Sequence, residues 1–109
     1  MFVKDIKSLE EYNSIVENND FFAIKFHAAW CGPCRVLNDV LSKIDSSKIN
    51  NVPFYALDVD SEFADEITRT WNIRNIPVIV FIKNGKEVHR IVGLTDVETI
   101  IKVINTTWE

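Results

Sequence analysis

Two cysteines three positions apart, Cys31 and Cys34, constrain this chain more than any other feature, because they stand between a run that reads as a strand and one that reads as a helix. Phe21 to His27 is rich in aromatic residues and interrupted only by Lys25, which predicts a strand buried largely on both faces. After the pair, Val36, Leu37, Val40, Leu41 and Ile44 trace one apolar stripe at helical spacing, so a helix is expected from Val36 to Ile44. Two thiols at i and i+3 in a first helical turn share a face, and a short disulfide there can close and open without moving the rest of the fold. Free backbone N–H groups and the helix dipole at that point favour a thiolate.

With 109 residues, the whole of 1–109 is expected to form a single domain. A formal net charge of -4 argues against nucleic acid or an anionic membrane as partner, since both are bound through clustered Lys and Arg. Met1-Phe2-Val3-Lys4-Asp5 carries no export signal, and the longest apolar run, Ile76 to Ile82, is far short of the roughly 20 residues that span a bilayer. A soluble cytoplasmic protein is expected. In that compartment a lone Cys-x-x-Cys reads as redox-active or metal-binding. Zinc takes four ligands, however, and only His27 and His89 remain to complete a set, at no finger-like spacing, so no metal is assigned. Two reduced core cysteines are the other plain reading.

The rest of the chain alternates in character. Ser8-Leu9-Glu10-Glu11 is a capping box that opens a helix from Leu9 to about Glu17, with Leu9, Tyr12, Ile15 and Val16 inward. A strand is expected over Val52 to Val59, then a helix capped by Asp60 or Ser61 with Phe63, Ile67 and Trp71 on its apolar side. Ile76 to Ile82 is the strongest strand, and Asn84-Gly85 predicts a two-residue hairpin returning through Glu87 to Val92. Thr95-Asp96-Val97-Glu98 is a second capping box, opening a final helix with Val97, Ile100, Ile101 and Ile104 inward. With a short first strand near Phe2 to Lys4, the order is β, α, β, α, β, α, β, β, α. Parallel crossovers followed by a terminal hairpin give an α/β fold, a central mixed sheet with helices on both faces.

The expected chemistry is dithiol–disulfide exchange. Cys31, at the helix terminus, is the candidate nucleophile, and Cys34, one turn further in and shielded, the resolving thiol. Gly32 lets a substrate backbone approach, and Pro33 fixes φ where a missing N–H does no harm.

Phe26-His27-Ala28-Ala29-Trp30-Cys31-Gly32-Pro33-Cys34 resembles the thioredoxin active site, and the resemblance continues in Asn72-Ile73-Arg74-Asn75-Ile76-Pro77, Phe81-Ile82-Lys83-Asn84-Gly85 and Val92-Gly93. It implies a thioredoxin fold, a cis Pro77 against the cysteine pair, an Ile76 backbone offered to an extended peptide, and a groove lined by Trp30 and Gly93. It also implies a monomer that reduces disulfide-containing protein substrates and is recycled by thioredoxin reductase or an equivalent electron donor, with no bound cofactor. Rival readings are a dedicated redox donor for one client, or a binding subunit that uses the groove beside Pro77.

Lys25 stands where thioredoxins usually carry a buried acid. A cation there would favour a nearby thiolate, or accept a proton if desolvated, which makes it a candidate modulator of the thiol pKa. The preferred reading is a swapped ion pair of Lys25 with Asp58 or Asp39, the latter occupying a position where the family often has a helix-kinking proline. His27 is expected to pack rather than titrate in the mechanism, and Trp71 and Trp108 to pack at sheet or helix ends.

Overall fold

The computed structural model describes residues 1–107, and Trp108 lies outside them. Nine principal elements follow one another: β1 (Lys4–Asp5), α1 (Leu9–Asn18), β2 (Phe21–His27), α2 (Gly32–Ser42), β3 (Phe54–Asp58), α3 (Ala64–Thr70), β4 (Val78–Lys83), β5 (Lys86–Val92) and α4 (Val97–Thr106). The strands form one mixed sheet in the order β1-β3-β2-β4-β5. β1, β3 and β2 run parallel, whereas β4 lies antiparallel to both β2 and β5. The α/β architecture read from the element order is therefore the one observed.

Alternation along the central strands divides the core in two. Phe22, Ile24 and Phe26 of β2 join Val78, Val80 and Ile82 of β4 on one face, packed with Tyr12, Ile15, Ala64 and Ile67 of α1 and α3. Ala23 of β2 and Ile79 and Phe81 of β4 face the other way, onto Leu37 and Leu41 of α2 and Ile100, Val103 and Ile104 of α4.

Several local expectations shift for identifiable reasons. Helix α2 starts at Gly32, four residues before its apolar stripe, because Cys31 itself is the N-cap, and Val36 is left 48% exposed. Ser8 caps α1 through the N–H of Glu11 at 3.0 Å, but Glu11 Oε1 finds no partner, so only half of that capping box closes. At α4 the cap is Asp96, which accepts from the N–H of Thr99 at 2.8 Å, and not Thr95. Neither Asp60 nor Ser61 caps α3: a turn at 60–63 intervenes and Phe63 is the N-cap, with no side-chain hydrogen bond. Strand β4 begins at Val78, one residue after Pro77, which has no N–H to give a ladder.

The hairpin forms at Asn84-Gly85, with φ of 53° and 78°, the left-handed pair that a two-residue turn requires. Beyond it β5 carries a bulge. Phe81 opposes His89 while Ile82 opposes Glu87, so Val88 is an extra residue without a partner across the ladder. The extra residue brings Glu87 and Arg90 to one face, where they form an ion pair at 2.6 Å. Arg90 also donates to the carbonyls of Trp71 and Asn72 at the end of α3, and Trp71 Nε1 donates to the Tyr12 hydroxyl at 2.9 Å.

Candidate active site

The cysteine pair sits where β2 hands the chain to α2. Cys31 has extended backbone, φ -86° and ψ 110°, and its Sγ accepts the N–H of Cys34 at 3.2 Å, so the sulfur does the capping that a Ser or Asp oxygen does elsewhere. Pro33 falls in the first turn, where its missing N–H has no helical partner to lose. Cys31 and Cys34 are joined as a disulfide with Cα atoms 5.3 Å apart. Both pack against Ala28, Val59 and Ile76, but Cys31 keeps 4% exposure whereas Cys34 has none. A side chain at Gly32 would meet nothing within 4 Å, so the surface over the pair is open there.

The loop that leads into β4 closes over the same sulfur. The Ile76–Pro77 bond is cis, and the Ile76 carbonyl oxygen lies 3.9 Å from Cys31 Sγ. The Pro77 carbonyl accepts the N–H of Gly93 at 2.8 Å, and Gly93 sits at φ 84°, a conformation in which a Cβ is strained. Trp30 is 68% exposed and held at one point, Nε1 donating to Asp60 Oδ2 at 2.7 Å. Of the expected groove residues, Trp30, Gly32 and Pro33 adjoin the cysteines in the chain, Ile76 packs on them, and Pro77 and Gly93 follow through the bond they share, with the exposed apolar Val92 and Leu94 flanking Gly93. Asp60 is a contact the sequence reading missed, having assigned it to a helix cap.

Lys25 lies beneath α2, 4% exposed, on the sheet face shared with Ala23. Its ammonium donates to Asn38 Oδ1, and the expected ion pair with Asp58 or Asp39 is not formed. The strand register explains why. Lys25 opposes Ala56, and Asp58 opposes His27 at the exposed end of β3, where its Oδ1 accepts the N–H of Asp60 at 2.9 Å. Asp39 follows Asn38 on the helix, turned about 100° away from it and exposed. Burial lowers the Lys25 pKa below the ordinary lysine value, with Asp5 opposing the change. His27 is lowered too, by burial first and by the Lys25 charge second, against Asp58 and Asp5. Asn38 was legible in principle, since it is four residues from Cys34 on one helix face.

The model of the Thioredoxin family matches residues 3–106. The chain belongs to the thioredoxin family. A thioredoxin of Chlamydia caviae is 33% identical over 100 residues, covering 92% of this chain and 94% of the relative. Thioredoxin H2 of Arabidopsis thaliana is 37% identical over 82 residues, 75% of this chain but only 59% of that longer relative. The crystal structure of thioredoxin O2 from the same plant, in its oxidised state, superposes with a TM-score of 0.77 at 30% identity, covering 93% of this chain and 90% of the other. As a member of that family the chain is a thiol–disulfide oxidoreductase, with Cys31 and Cys34 as the redox-active pair and, in general terms, disulfide substrates and a reductase as its partners. No described helix is long and apolar enough to cross a membrane.

Proposed function

We propose that the reduced protein attacks disulfides of other proteins through Cys31 and that Cys34 resolves the product. The Cys31 thiolate attacks one sulfur of the substrate, forming a mixed disulfide and expelling the other sulfur as a thiolate that takes up a proton. Cys34, losing its proton, then attacks Cys31 Sγ and releases the second substrate thiol. Two electrons pass to the substrate and the Cys31–Cys34 bond is restored.

The observation that carries this reading is the placement of Cys31 Sγ. It caps α2 at the open side marked by Gly32, under the Ile76 carbonyl, while Cys34 is wholly enclosed. Trp30, Gly32, Pro33, Ile76, Pro77 and Gly93 form the groove that receives an extended segment around the substrate disulfide. The protein works as a single-domain monomer in the cytoplasm, recharged by thioredoxin reductase or an equivalent donor.

Insulin reduction with dithiothreitol as electron source tests the assignment. Cys31→Ser abolishes turnover and forms no mixed disulfide, whereas Cys34→Ser accumulates a mixed disulfide at Cys31. Accumulation on the Cys31→Ser variant instead would reverse the two roles.

A further inference from the structure

Lys25 is the charged side chain buried in the core among the described residues, and the exchange just described uses its charge for nothing. An ammonium has three donors, and this one is placed only on Asn38 Oδ1. A buried cation with no ion-pair partner in contact, only Asp5 acting on it from β1, is costly, so its position relative to the redox pair matters.

Asn38 is exposed and stands one helical turn after Cys34, at the margin of the stripe of Cys34, Leu37 and Leu41 that α2 buries. Side chains four apart have Cβ atoms about 5–6 Å from each other, and helical side chains lean toward the N-terminus. The hydrogen bond to Asn38 thus holds the Lys25 ammonium one helical turn from the residue that carries the resolving thiol. On β2 the chain continues from Lys25 to Ala28, which packs directly on both cysteines. On its outer side Lys25 borders an open pocket of about 490 Å³, shared with Asp5, His27, Asn38 and Ser42, through which solvent protons can reach it. The charged and titratable groups around this pocket are Asp5 on β1, His27 on β2 and the Met1 ammonium, which donates to the Ile44 carbonyl; Asp58 on β3 acts on His27, while the polar residues of α2 there, Asn38 and Ser42, do not titrate.

We propose that Lys25, anchored by Asn38, biases the Cys31/Cys34 couple toward its reduced form by stabilising the sulfur anion that reduction creates. The inference rests on the reading of these two cysteines as the working couple. Two glutathiones reduce the pair by breaking the S–S bond, delivering two electrons and leaving as one glutathione disulfide. The oxidised pair is neutral and the reduced pair carries a thiolate once a proton has left, so a nearby cation interacts with the second state alone. By the same linkage, reduction tightens the hold of Lys25 on its own proton.

The test is the equilibrium of the protein with glutathione, read beside the thiolate absorbance near 240 nm as a function of pH. Lys25→Met is expected to shift the equilibrium at least threefold toward the disulfide, about 14 mV in potential, and to move thiolate formation to higher pH. Lys25→Gln, which keeps a hydrogen-bonding group without the charge, follows Lys25→Met if charge is the cause. Asn38→Leu, which keeps the charge and frees it, gives smaller shifts of the same sign. Both lysine variants within twofold of the parent and with unchanged titration would overturn the proposal, and an Asn38→Leu protein equal to the parent overturns the anchoring. No protein substrate enters these measurements, so a failure of the insulin assay stays separate from a failure here.

Discussion

The two faces of β2 are built from alternate residues of one seven-residue strand, yet they are unlike. Phe22, Ile24 and Phe26 close the face toward α1 and α3 with large apolar side chains. Toward α2 the same strand presents, after a half-buried Phe21 at its start, Ala23, Lys25 and His27: a small residue, a buried cation and a half-buried imidazole. One face invests its volume in hydrophobic contact, and the other gives that contact up beneath the helix that carries the redox pair. Within β2, accordingly, the first face contributes apolar packing along its length, while the second sets a cation and an imidazole beside the apolar core that its neighbours build.

The largest test of this contrast is a truncation on each face. Phe26→Ala, which empties a fully buried site, is expected to lower stability by about 3–5 kcal/mol in denaturant titration. Lys25→Met on the opposite face should do the reverse and stabilise the oxidised protein by about 1 kcal/mol, because it removes a buried charge that has no ion-pair partner. A loss as large as that at Phe26 would erase the distinction between the faces. Smaller again are the helix caps: Ser8→Ala on α1 and Asp96→Ala on α4 should each cost about 1 kcal/mol, without altering the glutathione equilibrium.

The finest distinction is in pH dependence in the alkaline range, where Lys25 on one face and Tyr12 on the other have pKa values that burial moves. Lys25 is lowered, so the unfolded chain holds the proton more firmly, and stability rises with pH up to the ordinary lysine value of about 10.4. Tyr12 is raised by burial, against the hydrogen bond from Trp71, so the folded chain keeps a proton the unfolded chain loses and stability falls above about pH 10. Denaturation midpoints followed from about pH 8 to about pH 11 should lose the rise in Lys25→Met and the fall in Tyr12→Phe.

What the sequence discloses follows the same division. Periodicity placed β2, α1, α4 and the Asn84-Gly85 hairpin, because apolar spacing and turn chemistry are local properties. The Cys31 to Cys34 stretch, with the strand before it and the helix after it, located the redox pair and led to the family. Partners across the sheet were not legible. Asp58 looked available to Lys25 because both are charged and lie in neighbouring strands, but strand register set Ala56 opposite Lys25 and took Asp58 to the rim. Likewise Thr95-x-x-Glu98 fits a capping box by pattern, and the helix instead began one residue later on Asp96. Trp30 meeting Asp60 depends on how two loops end side by side, which no spacing in either segment encodes.

The bulge at Val88 bears on how this sheet meets other chains. An outermost strand is an open rim to which any extended peptide can add by backbone hydrogen bonding, and long flat rims seed aggregation. Here one rim is β1, only two residues long. The other is β5, which the bulge breaks midway and which carries Lys86, Glu87, His89 and Arg90 along its length. Both margins of the sheet are thus poor in places where an extended segment of another chain could lodge away from the cysteine pair.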